Sequence, residues 1–150
     1  MAPGSGLEDV YQDLILDHSR RPRNFGAPAG ATHSARGDNP FCGDRVTVFL
    51  VRSADRIADV GFEGAGCAIS MASASMMTTR MKGLTAEQAA DLCRQFEDLL
   101  GDAALQDHEL GDLSAFAAVS RFPVRIKCAR LPWQTLLAAL SGASDTVSTE

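Results

Sequence analysis

Asn39-Pro40-Phe41-Cys42-Gly43-Asp44 runs into Val46-Thr47-Val48-Phe49-Leu50-Val51. After Ser53-Ala54-Asp55 the chain continues through Ile57 to Phe62 and on to Gly64-Ala65-Gly66-Cys67-Ala68-Ile69-Ser70-Met71-Ala72. This stretch decides the fold. Val46–Val51 is β-branched and apolar, which suits a pleated, half-buried surface. Ser53-Ala54-Asp55 reads as a turn and Ile57–Phe62 as a second strand, so the two form a hairpin. Residues 32 to 37 offer a short edge strand. From Cys67 to Lys82 small and apolar residues cover nearly every face, as in a buried helix, and Gly83 stops it. The fold class expected is α+β: a small antiparallel sheet of about three strands packed against several helices.

On the N-terminal side, residues 1 to 6 read as a flexible leader. Ser5 and Glu8 have capping-box spacing. Leu7, Val10, Tyr11, Leu14 and Ile15 form a helical stripe, which Pro22 ends by disfavouring helix at the residue before it. His18, beside that stripe, reads as a packing or capping histidine. Residues 25 to 31 are a Gly/Pro loop. On the C-terminal side, Thr85 and Gln88 repeat the capping-box spacing, ahead of an apolar stripe that holds Cys93 as a buried, inert thiol. Residues 101 to 112 read as an acidic turn with a solvated His108. Leu113–Val119 reads as a short helix closed by Phe122-Pro123. Trp133, Leu136, Leu137 and Leu140 mark the last helix. Pro132 fits best near a first turn, which predicts a start close to Cys128. Residues 141 to 150 are expected to fray, and the whole chain, 1 to 150, to form one domain.

The composition excludes several classes. A formal charge of −5 gives no basic footprint for nucleic acid. No apolar run is long enough to span a membrane. Met1-Ala2-Pro3-Gly4-Ser5 lacks the regions of a secretory signal. The four cysteines therefore point to reduced thiols in the cytoplasm, serving metal binding or catalysis.

Three of those cysteines stand where chemistry is possible. Cys42 sits in a Pro- and Gly-flanked loop before a strand. Cys67 follows Gly64-Ala65-Gly66 at a helix start, and Cys128 is read as opening another helix. A helix N-terminus carries partial positive charge and unsatisfied N–H groups, which favour thiolate, the form that attacks and binds metal. Asp44 lies two residues from Cys42, and in an extended segment the two side chains point the same way. A carboxylate among thiolates makes a zinc site more exchangeable than a four-cysteine knot. The spacing alone, without a paired Cys-x-x-Cys, leaves open that the three cysteines are separate small residues near turns.

Leu14-Ile15-Leu16-Asp17-His18 with Arg21-Pro22-Arg23-Asn24-Phe25-Gly26, the two stretches quoted above and Arg125-Ile126-Lys127-Cys128-Ala129-Arg130-Leu131 together resemble the SufU branch of the IscU/NifU-like iron–sulfur cluster assembly family. The resemblance covers most of the chain. It implies an IscU-like fold and a zinc ion held by Cys42, Asp44, Cys67 and Cys128. It also implies a pyridoxal-phosphate cysteine desulfurase of the SufS type as partner, with downstream Suf scaffold proteins beyond it. Cys42 would take the partner's persulfide sulfur while a partner histidine replaces it on zinc. The alternative the family offers is a scaffold on which an iron–sulfur cluster is built. Two departures favour sulfur transfer. Lys127 stands where scaffolds of the IscU type carry a histidine, and residues around 101 to 121 resemble a SufU insertion. Arg125 is either a support for the negative site, a partner contact, or a solvated charge.

Overall fold

The computed structural model describes residues 7–101, 108–142 and 147–148. Its elements in chain order are helix α1 (Leu7–Arg20), strands β1 (His33–Asn39), β2 (Asp44–Ser53) and β3 (Arg56–Ala65), and helices α2 (Ala68–Met81) and α3 (Ala86–Gly101). A 3-10 segment (His108–Arg121), helix α4 (Pro123–Ser141) and strand β4 (Val147–Ser148) follow. The class is α+β, as expected. The sheet has four strands, not three, in the order β3-β2-β1-β4. It is mixed rather than antiparallel throughout, because β4 pairs parallel with β1 through Gly37↔Val147 and Asp38↔Ser148. Those two tail residues fall in the segment expected to fray.

The β2–β3 hairpin turns at Ala54, whose φ of 56° is left-handed. Burial alternates along β1 and β2, so one face of the sheet points inward. Ala35, Gly37 and Asn39 of β1 share that face with Asp44, Val46, Val48 and Leu50 of β2. α4 lies across it. Gly37 allows the approach, since a Cβ there would meet Thr135 Oγ1 and the Leu131 side chain.

α2 is central and buried over most of its surface, with Ala72, Ala74, Met76, Met77 and Met81 in the core beside buried Ser70, Ser73, Ser75 and Thr78. The Thr85/Gln88 capping box forms in both directions: Gln88 N–H donates to Thr85 Oγ1 at 3.1 Å and Thr85 N–H to Gln88 Oε1 at 3.0 Å. α3 packs Phe96 flat on Trp133, with ring centroids 4.3 Å apart, and edge-on to Phe116 of the 3-10 segment. Cys93 is buried there, and burial pushes its thiol up to about 12, so it stays protonated. The 3-10 segment is longer than the short helix expected and breaks at Gly111 (φ 54°). The Ser5–Glu8 capping box, the leader and the 102–107 part of the acidic turn lie outside the described residues, as does the side chain of His108.

One boundary is corrected. α4 begins at Pro123, in its first turn, five residues before Cys128, and Pro132 lies inside it. A proline at that depth removes one helical N–H. α4 is tied to α2 around this turn: Ser73 Oγ donates to the Ala129 carbonyl at 2.5 Å, and Trp133 Nε1 donates to Ser73 Oγ at 3.0 Å.

α1 ends at Arg20, ahead of Pro22, and docks on α2 through His18. The His18 ring is buried, with Nδ1 2.7 Å from Ser75 Oγ, which also accepts the Arg23 N–H at 2.8 Å. Burial, and then the Arg23 charge, hold His18 below its ordinary 6.5, against opposing pulls from Asp17 and Asp112. The unfolded chain therefore takes up this proton more readily than the folded one. The stabilising contribution is complete above the unfolded value and is lost as pH falls below 6.5 towards the lowered folded value. Thermal melts at about pH 7.5 and about pH 5.5 should show a larger drop in midpoint for the wild type than for His18→Gln. Equal drops would refute the assignment.

Candidate metal centre

The site is built where the β1–β2 turn, the end of β3 and α4 meet. Asn39 and Asp44 are opposite one another in the β1–β2 register, so both face inward. Between them residues 40–43 make a tight turn in which Cys42 N–H and Gly43 N–H both donate to the Asn39 carbonyl, at 3.2 and 2.8 Å. Gly43 takes φ +75°. Cys42 and Asp44 therefore converge through this turn and not through strand alternation, which corrects the expected geometry. The inward register alone places Asp44.

Cys67 is the N-cap of α2, and its Sγ accepts the Ser70 N–H at 3.4 Å. The helix-opening thiol is thus where the sequence put it. Cys128 is not: it lies in the second turn of α4, beyond the reach of the helix terminus. It reaches the site because α4 crosses the sheet. Its Sγ lies 3.8 Å from the Val124 carbonyl of its own helix and accepts from Asn39 Nδ2 at 3.5 Å.

Among the described residues, one atom each from Cys42, Asp44 and Cys128 lie within 4.8 Å of one another. Tetrahedral zinc with thiolate ligands sets sulfurs about 3.8 Å apart, so this donor set fits such an ion with little movement. Cys67 is not in that group, although its thiol is close enough to Cys128 to affect its titration. Burial, then the neighbouring Asp44 and Cys42 and the charge of Cys67, push the Cys128 thiol far up. The expectation that a helix terminus would lower it fails. A cation held beside Cys128 would favour its ionised thiol.

The Asp44 carboxylate is tied down at both oxygens. Oδ1 accepts the Cys67 N–H at 2.8 Å and Oδ2 accepts from Asn39 Nδ2 at 3.1 Å. Gly66 makes room for it, since a Cβ at that position would strike Asp44 Oδ1. Arg125 is exposed at the mouth. Its pKa is raised first by a hydrogen bond to Cys128 and then by the charge of Cys67, Cys128 and Cys42. Lys127 extends over the Phe41 ring, its Nζ 5.7 Å from the centroid. Asn39 and Gly66 have no role in the sequence reading, although both stand inside the stretches quoted for it. Only the strand register shows what they touch.

This fold with a cysteine–aspartate cluster at the end of its hairpin defines a class, and comparison with known proteins agrees. Residues 10–129 match the NifU-like N terminal domain. The chain belongs to the IscU/NifU-like family of iron–sulfur cluster assembly proteins. Within that family it is similar to the zinc-dependent sulfurtransferase SufU of Bacillus subtilis (strain 168), 41% identical over 91% of this chain and 92% of the relative. It is also similar to the iron–sulfur cluster assembly scaffold protein IscU of Streptococcus pyogenes serotype M1, 36% identical over 94% of this chain and 89% of that one. A crystal structure of SufU from Fervidobacterium islandicum AW-1, provisionally described as a cluster assembly scaffold for the SUF system, superposes with a TM-score of 0.80. It is 36% identical and covers 90% of this chain and 99% of that one.

Gly66→Ala tests the geometry. The added methyl displaces the Asp44 carboxylate, and zinc affinity, measured by competition with a chromophoric chelator, should fall on the order of tenfold or more. Gly101→Ala, where a Cβ meets nothing within 4 Å, should leave it unchanged.

Proposed function

We propose that this protein is a zinc-dependent sulfurtransferase of iron–sulfur cluster biogenesis, accepting persulfide sulfur from a SufS-type cysteine desulfurase onto Cys42. The observation that carries the reading is the difference between the thiols. Cys128 and Asp44 are buried, whereas Cys42 and Cys67 are half-exposed; of these two, Cys67 is engaged as the cap of α2 and Cys42 stands on a turn that returns through a left-handed glycine. Cys42 can leave the cluster and meet a partner without disturbing the core. Cys67, exchanging its cap bond for the metal, is the fourth ligand beside Cys42, Asp44 and Cys128. Bound zinc keeps such thiols ionised at neutral pH.

The transfer itself needs only the chain's thiolate and the partner's persulfide. Cys42 Sγ attacks the terminal sulfur. A new S–S bond forms, the partner's S–S bond breaks, and its cysteine departs as thiolate, leaving a persulfide on Cys42 and no net oxidation. Arg125 at the mouth attracts the anionic persulfide. Exposed Phe41, next to Cys42, and exposed Phe122 and Val124, at the start of the helix that carries Cys128, suit an apolar docking rim. Reduced thiols fit a cytoplasmic setting, with downstream Suf scaffold proteins as receivers of the sulfur.

The protein loaded with zinc, incubated with desulfurase and cysteine, should gain one sulfur on Cys42 by mass spectrometry and raise desulfurase turnover. Cys42→Ala should lose both effects. A Cys42→Ala protein that stimulates as well as wild type sinks the carrier role. A coloured cluster that assembles and passes to an apo-acceptor would favour the scaffold reading instead.

A further inference from the structure

Asn39 is fully buried beneath the metal ligands, and its side chain is placed by them. Its amide nitrogen has two hydrogens. One is directed at Asp44 Oδ2, 3.1 Å away, and the other at Cys128 Sγ, 3.5 Å away. A carboxylate only accepts, so the amide nitrogen and not the oxygen must face it. The amide oxygen, turned the opposite way, has no hydrogen-bond partner among the described residues. An asparagine that served only the surrounding fold would satisfy its oxygen as well. This one meets two metal-ligand atoms and leaves its own acceptor unmet. Its main-chain carbonyl meanwhile receives Cys42 N–H and Gly43 N–H. One residue thus touches the segments that carry three of the four ligands.

We propose that Asn39 is the positioning residue of the metal centre. Its amide donates one hydrogen to Asp44 Oδ2 and one to Cys128 Sγ, orients both toward the ion and draws off part of their negative charge. Outer hydrogen bonds of this kind fix ligand orientation and tune the metal. The carboxylate, held at Oδ1 by the Cys67 amide and at Oδ2 by Asn39, cannot swing away when Cys42 leaves. The inference rests on the metal reading of Cys42, Asp44 and Cys128.

Asn39→Ala removes the amide but keeps the carbonyl that holds the Cys42 turn. Asn39→Asp keeps the size and replaces a double donor with a negative charge. Zinc affinity, measured by chelator competition, should fall about 10- to 100-fold in Asn39→Ala and at least as far in Asn39→Asp. With cobalt(II) as probe, the thiolate-to-metal absorption should shift in Asn39→Ala. Wild-type protein loaded with cadmium-113 needs no variant: an Asn39 side-chain amide proton should show scalar coupling to the metal through Cys128 Sγ. That measurement decides the matter if the variants fail to fold. Affinity within twofold of wild type in Asn39→Ala with an unchanged cobalt spectrum, or absence of the coupling in loaded wild type, overturns the positioning role alone. A wild-type protein that binds none of these metals overturns the metal reading with it.

Discussion

The site exists because α4 can lie against the inward face of β1 and β2. That contact brings Cys128, distant in sequence, onto Asp44, and it depends on Gly37 having no side chain where Thr135 and Leu131 pack. The same contact buries Asp44 and Cys128 while leaving Cys42 on the edge. The donor set is thereby divided into a buried part and a half-exposed part. Had the helix passed further from the sheet, Cys128 would lie out of reach of the other two donors.

Most of the architecture was legible from periodicity and turn chemistry. The β2–β3 hairpin followed from a β-branched run, a short turn and a second apolar run. α2 followed from a segment with no polar face, and Cys67 fell at its start because three small residues precede it. The misreadings have physical causes. Pro132 reads as a helix opener because an interior proline lacks its N–H, yet the turn around it is packed and bonded to a helix distant in sequence, Ser73 reaching the Ala129 carbonyl 56 positions away. β4 has no signature in the sequence, because Val147–Ser148 is a pair of residues too short to carry an alternating pattern.

The candidate donors were legible as residue types and not as a geometry. Cys42, Asp44 and Cys128 come together while Cys67 stays outside that group, and for reasons other than the spacing suggested. Cys42 and Asp44 meet across a turn, and Cys128 arrives from the second turn of α4. A residue's opposite number in a sheet depends on register, which no local window contains. That is why Asn39, quoted beside Cys42 throughout, had no part until its pairing with Asp44 was known.

Trp133 is the chain's single tryptophan. It is stacked on Phe96 in the core, on the same helix as Cys128 and bonded through Ser73 to α2. Its ring has no part in the donor cluster, yet a shift of α4 along its axis must alter its stacking. The molecule therefore carries its own optical gauge: intrinsic emission registers the seating of the helix that delivers Cys128, and stays silent to events confined to the turn that bears Cys42.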